Sequence, residues 1–221
     1  MPVKSFLAIA GLAPALAWAQ SAPAPVELDR VQVTATHAPA AARDVPASVS
    51  VIDRDDGRTD ALGASLSERL TTVPGVLARD RRNYAQDEQI SVRGFGTRAS
   101  FGIRGVRLVV DGVPATMPDG QGQVSHLPLA FADRIEVLRG PFSVLYGNAA
   151  GGVIQVFTDD PMAPWSIDAG ANVGPDASRR LSLAVQGGRD RMGGLLGAQH
   201  FRTDGFREHS AAERNLLHGK F

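Results

Sequence analysis

At 221 residues the chain is long enough to bury one good core or two modest ones. Its 23 basic and 23 acidic side chains cancel, so bulk electrostatics draws in neither nucleic acid nor an anionic membrane surface. With no cysteine there is no disulfide, no thiolate metal site and no cysteine nucleophile.

The chain opens with a basic start at Lys4, an apolar small-residue run over 6–16, and Ala17-Trp18-Ala19, a small-x-small cleavage site before Gln20. That order predicts a secretory signal peptide over residues 1–19. It is too short for a spanning helix and lacks the polar face that an amphipathic helix of a cytosolic domain would need. Downstream no apolar run approaches the ~20 residues of a transmembrane helix, so any membrane passage is expected by β-barrel. Residues 20–42 read as an Ala/Pro/Ser linker around one extended segment, 26–36 (VELDRVQVTAT), where Val31 and Val33 alternate without a core partner. Such a lone strand suits β-augmentation, in which its main chain pairs with the edge of another protein's sheet.

Residues 43–160 predict a compact α+β unit. Segment 46–53 (PASVSVID) has the period of a strand, and Leu62, Leu66, Leu70 and Val73 form a helical apolar stripe that Pro74-Gly75 ends. The stripe is core packing, with no sign of a cofactor. Strands are expected at 89–93 and 106–111, separated by a glycine-rich stretch over 94–105 and followed by a Pro/Gly-rich loop over 112–123. A Leu/Pro-rich turn at 127–131 leads to 135–158 (IEVLRGPFSVLYGNAAGGVIQVFT). This last segment reads as strand, tight Arg139-Gly140-Pro141 turn, short amphipathic helical turn (Phe142, Val144, Leu145, Tyr146), glycine break and β-branched strand. Loops this long in a compact unit are functional or disordered.

From residue 161 the pattern changes. Trp165, Ile167, Ala169, Ala171 and Val173 alternate with Ser166, Asp168, Gly170 and Asn172, and Leu181, Leu183 and Val185 alternate after a turn at 174–178. One apolar face, one polar face, about ten residues per pass and an aromatic at one end predict transmembrane β-barrel strands. Segments 195–201 and 216–221 are weaker candidates, since Leu195-Leu196 and Leu216-Leu217 break the period. A soluble meander with one wet face is the alternative, though its small Ala and Gly residues would pack a poor core.

An enzyme is not expected. The five histidines (His37, His126, His200, His209, His218) are scattered, RGFGTR at 93–98 lacks the third glycine of a dinucleotide loop, and no GxxxxGK loop is present. Asp53-Arg54-Asp55-Asp56-Gly57 places its glycine one position early for a calcium loop, and Ala64 stands where the closing glutamate belongs. Ser125 and Ser143 have no patterned base. No cofactor and no metal site is expected.

Four motifs occur together in order: LTTVPGV (70–76), SVRGFG (91–96), LVVDGVP (108–114) and RIEVLRGP…LYG…AGGVI (134–154). In that order they resemble the plug domain of TonB-dependent outer-membrane receptors, and DRVQVTA (29–35) resembles the TonB box. The resemblance implies an α+β plug followed by the first strands of a transmembrane antiparallel β-barrel, which in full has about 22 strands. It implies binding of a metal chelate such as a ferric siderophore outside the cell, and admission driven by a TonB-type periplasmic energy-transducing protein. Asp29, Arg30, Val31, Gln32, Val33, Thr34 and Ala35 would pair with that partner. Arg93 and Arg139 would face barrel carboxylates, a task suited to a planar bidentate fork. Apical-loop residues Arg98, Phe101, Arg104, Met117, Asp119, Gln121 and Gln123 would contact the ligand. Copper, nickel, cobalamin and saccharides stay open as cargo. A signalling receptor of the same architecture would carry an extra domain before the box, where only about ten residues stand. Lipid of the outer membrane is expected on the apolar strand faces, and nucleic acid is not. About sixty residues follow Pro161, room for three or four strands, so the length predicts a truncated barrel in a fragment or a non-functional receptor remnant. A secreted soluble β-rich binding module is the remaining alternative.

Overall fold

The structure is a computed structural model and describes residues 32–33, 40–41, 45–54, 62–84, 87–99, 102–161, 164–189 and 192–221. Strands β1 (Gln32–Val33) and β2 (Ala40–Ala41) precede β3 (Ser48–Asp53), helix α1 (Leu66–Leu70), β4 (Val76–Arg79) and β5 (Gln89–Val92). Next come β6 (Ile103–Arg104), β7 (Val106–Val110), β8 (Val113–Pro114), β9 (Gln121–Gly122) and a 3-10 turn (Leu129–Phe131). Then follow β10 (Ala132–Arg139), α2 (Ser143–Tyr146), β11 (Gly152–Thr158), β12 (Ser166–Val173), β13 (Arg179–Arg189), β14 (Met192–Thr203) and β15 (Ala212–Lys220). The expected signal peptide lies outside the described residues, as do Asp29, Arg30, Val31, Thr34, Ala35 and Phe101. Of the expected TonB box, Gln32 and Val33 are described, paired antiparallel with Ala41 and Ala40.

The first unit is built on a sheet ordered β3-β10-β11-β7-β8. β10 runs antiparallel to β3 and β11, and β11 runs parallel to β7. Strands covered on both faces read as apolar runs instead of alternating. Accordingly Val137, Leu138, Val153, Ile154 and Val156 are all buried. α1 seats Leu66 and Leu70 in one core with Val137, Ile154 and Val156, while Leu138 and Val153 join Val109 and Ala149 in a second cluster.

Two helices differ from expectation. The stripe beginning at Leu62 predicts a helix over about three turns, yet α1 is five residues long. Gly63 takes φ +65°, outside helical space, so the helix starts after it at the Ser65 cap; Val73 still reaches the core from the following turn. α2 was expected to be amphipathic but buries no residue, and Val144 is 97% exposed. Its N-cap Phe142 and its last residue, Tyr146, pack partly buried against the cluster of Leu138, Ala149 and Val153 instead. β4 was not expected. Its four residues are too few to show a period, and it forms only by pairing with β5.

The second sheet is the antiparallel meander β12-β13-β14-β15, open at both edges. Along it the two double leucines that break the sequence period prove to serve two faces. Leu195 is fully buried against the first unit while Leu196 is 61% exposed, and Leu217 faces outward at 82%. Both faces of these strands are apolar in places because one meets the first unit and the other faces away from it.

Gly152 opens β11 opposite Arg139 with φ +150°, and a β-carbon there would run into the Leu138 carbonyl. Gly152→Ala is therefore expected to destabilise the protein by more than about 1 kcal/mol, read as a lower urea midpoint at unchanged slope.

Candidate functional site

The seam between the two sheets centres on the residues leading into α1. Glu68 turns its carboxylate back onto them: Oε2 accepts the Gly63 N–H at 2.7 Å, and Oε1 accepts those of Ala64 at 3.0 Å and Ser65 at 2.9 Å. That satisfies donors which a helix start leaves open. The carbonyls of the same segment face β13 and β15. Arg180 Nη1 donates to Gly63 O at 2.9 Å; Arg214 Nη2 donates to Ala64 O at 2.7 Å and its Nη1 to Ser125 O at 3.0 Å. A side chain at Gly63 would collide with the Arg180 guanidinium, so glycine serves both the turn and the contact.

A second contact lies further along β15. Lys220 Nζ donates to Asp111 Oδ1 at 2.9 Å, and the same carboxylate accepts the Thr158 N–H at 3.0 Å and hydroxyl at 2.6 Å. Burial pushes the Asp111 carboxyl up, but the bonds from Thr158 and Lys220 outweigh it and hold the group below its ordinary value. Aromatic contacts close the seam: Phe131 stacks on His218 with centroids 6.2 Å apart, and Tyr84 packs on Phe201 at 5.0 Å.

One cavity opens on this seam, and a second, lined by the first unit alone, adjoins it. The larger, of about 680 Å³, runs between the first unit and β15 and is lined by Asp80, Tyr84, Glu88, Phe201 and Arg214 among others. The smaller, of about 330 Å³, brings Met117, Gln121 and Gln123 together with Ala115. Asp87 and His126 line both. Asp87 Oδ1 accepts the N–H groups of Val124 at 3.2 Å and Ser125 at 3.3 Å, which holds His126 at the junction. Glu88 is 8% exposed and accepts the Ser67 N–H at 2.7 Å. Its burial lifts the carboxyl to about 7, against the opposing pull of that hydrogen bond.

Met117, Gln121 and Gln123 thus fall in one place, while Arg98 and Arg104 are exposed and line neither cavity. Arg104 is the cross-strand neighbour of Gln121. Asp119 Oδ1 accepts the Gln121 N–H at 3.0 Å, and its carbonyl accepts Asn148 Nδ2 at 3.0 Å, so it shapes the loop. Arg139 donates to Pro74 O and Arg93, with φ +49°, lies in the adjacent turn. Burial first and the nearby Arg93 second lower the Arg139 pKa. No spacing in the sequence links Asp87, Glu88 and His126; the loop between β4 and β5 and the turn after β9 meet only in the fold. Among the described residues no group of three or more His, Asp or Glu side chains is placed to hold a metal ion, and no helix is long and apolar enough to cross a membrane.

A profile of the TonB-dependent Receptor Plug Domain matches residues 41–153, just over half of the chain. The chain belongs to the TonB-dependent receptor plug family. The hemin receptor of Yersinia pestis is 34% identical over 178 residues, which cover 80% of this chain and 24% of that receptor. The ferrienterobactin receptor of Escherichia coli K12 is 31% identical over 132 residues, covering 53% of this chain and 17% of that one. The pyoverdine outer membrane receptor FpvA from Pseudomonas aeruginosa superposes with a TM-score of 0.64 at 21% identity, over 83% of this chain and 26% of that chain. The chain therefore spans between about a sixth and a quarter of the length of these relatives. Membership puts the plug in the Gram-negative outer membrane and among receptors, not enzymes. The sheet β12-β15 is the start of the barrel wall, and the seam described above is the contact between plug and wall.

Glu88 makes the plug's stability depend on pH. Folding raises its pKa from 4.5 to about 7, so the folded chain holds the proton more tightly than the unfolded chain. Stability from this group is greatest below the unfolded value and falls as pH rises through this window. Glu88→Gln is expected to remove that slope and to stabilise the protein by up to about 3 kcal/mol at about pH 8, with little change at about pH 4. Urea midpoints at the two pH values check it; parallel curves for both proteins would refute it.

Proposed function

We propose that the chain is the N-terminal region of an outer-membrane receptor that admits a metal chelate such as a ferric siderophore. In this reading residues 1–19 are a signal peptide cleaved near Ala19, 20–42 are a linker carrying the TonB box, 43–160 form the plug and 161–221 the first barrel strands. The observation that carries the reading is the cavity where Met117, Gln121 and Gln123 meet Asp87 and His126, two residues it shares with the larger cavity against β15. A thioether and carboxamides give adaptable contacts to a rigid chelate, and Arg98, Phe101, Arg104 and Asp119 belong to the same loops. Ferrienterobactin, hemin and vitamin B12, which relatives' names carry, are all metal complexes, and this supports the cargo class.

Asp29, Arg30, Val31, Gln32, Val33, Thr34 and Ala35 pair with the TonB-type partner by strand addition, through a main chain of which Gln32–Val33 is already extended. Arg93 and Arg139 face wall carboxylates. Supporting this, the Arg139 Nε is buried without a hydrogen-bond partner among the described residues, and a second guanidinium lies close by.

In the receptor containing this chain, Val31→Pro removes a backbone donor and should cut iron-chelate uptake at least tenfold while leaving binding intact; unchanged uptake would exclude the strand-addition role. Met117→Ala with Gln121→Ala should weaken binding of the transported ferric siderophore about tenfold in equilibrium titration, a loss of about 1.4 kcal/mol. Full affinity would take the cavity out of the ligand site. Arg139→Ala should make the plug easier to nick by protease, and unchanged sensitivity would count against its contact with the wall.

A further inference from the structure

The outward face of the wall is laid out in horizontal rungs by its register. Ile167, Val185, Leu196 and Gly219 form one, and Ala169, Leu183, Ala198 and Leu217 the next. Above them come Ala171, Leu181, His200 and Asn215, and then Val173, Arg179, Arg202 and Glu213. At the opposite end Trp165 lies over Gly187, whose cross-strand partner Gly194 sits against Phe221. The apolar band is thus bounded by aromatic rings at one end and by two arginines at the other. From Gly187 to Arg179 is eight residues, about 27 Å along the strand. At a tilt of ~40° that is about 20 Å along the membrane normal, close to the far edge of a ~25 Å apolar band. Arg179 and Arg202 therefore stand at headgroup level.

Their pairing calls for an anion. They are direct cross-strand neighbours, both exposed on the same face. Like charges directly opposite one another destabilise a sheet. No acid among the described residues pairs with either: Glu213, next to Arg202, is turned to Asn215 Nδ2 at 3.5 Å and His200 Nδ1 at 4.0 Å. Two planar forks on α-carbons ~5 Å apart can close on one oxyanion with several acceptor oxygens. The apolar side chains of Leu181, Leu183 and Leu196 run directly below, where acyl chains would lie.

We propose that Arg179 and Arg202 clamp the phosphate monoester of a membrane-lipid headgroup on the outer surface of the barrel. The clamp rests on the reading of β12 to β15 as membrane-spanning. Depth and apolar neighbours together select a lipid over a free anion, which has no use for the rungs beneath.

The test uses the receptor containing this chain in neutral detergent, titrated with short-chain phosphatidic acid, phosphatidylcholine of the same chains, and inorganic phosphate. The wild type should bind phosphatidic acid at least tenfold tighter than phosphatidylcholine. Arg179→Gln with Arg202→Gln should erase that preference, Arg179→Lys with Arg202→Lys should keep part of it, and Arg79→Gln in the plug should leave it unchanged. No preference in the wild type, or full preference in the double Gln variant, overturns the clamp. Competition by inorganic phosphate as strong as by phosphatidic acid makes it a free-anion site and overturns the lipid assignment. Photoreactive lipid in vesicles separates the two readings. If the outward rungs escape labelling, the membrane-spanning reading falls and the clamp with it; if they are labelled and no preference exists, only the clamp falls.

Discussion

Guanidinium donors from the wall hold one short peptide of the plug, and the rest of the arrangement follows from that contact. Buried carbonyls need donors and buried cations need acceptors. At Gly63 and Ala64 the carbonyls receive the Nη donors of Arg180 and Arg214, while Glu68 takes the N–H groups of the same residues from the other side. The segment is hydrogen-bonded on both edges and ties the start of α1 to two wall strands. Lys220 on Asp111 repeats the polarity at the far end of β15. At these three contacts cations lie on the wall and acceptors on the plug, the reverse of what Arg93 and Arg139 alone would suggest. The ion pair of Arg82 with Asp176 in the wall turn, at 3.7 Å, runs the other way.

This polarity explains the inner face of the wall. The plug presents turns and loop carbonyls to the strands, so an apolar inner face would leave those groups unpaired. Arg180, Arg214 and Lys220 therefore alternate with residues that face away from the plug. Where the plug offers apolar surface, the wall answers with Leu195 and Phe201, both fully buried. A strand serving two such partners cannot keep a clean period of two. The double leucines at 195–196 and 216–217 are the consequence.

The larger cavity lies where loops from separate parts of the plug meet the wall, and the smaller lies among plug loops beside it. Met117, Gln121 and Gln123 belong to one Pro/Gly-rich loop, so they were legible as a group before any fold was known. Asp87 and His126 stand 39 positions apart and meet because Asp87 receives the N–H groups of Val124 and Ser125. Glu88 was invisible for a similar reason. A glutamate between an aspartate and a glutamine looks like surface until β5 carries it against Ser67. Burial, not composition, raises its pKa.

What the sequence by itself determined was local or periodic. The strands at 48–53, 106–110 and 152–158, the alternation of the first wall strands and the ordered glycine and proline motifs of the plug are all short-range patterns, set by side-chain period and backbone freedom. Tertiary structure alone decided the length of α1, the existence of β4, the burial of Glu88 and the partners of Arg180, Arg214 and Lys220. Each of these depends on which distant segment lies opposite. Pairing across a seam is set by register and packing among residues far apart in the chain, and no local period encodes it.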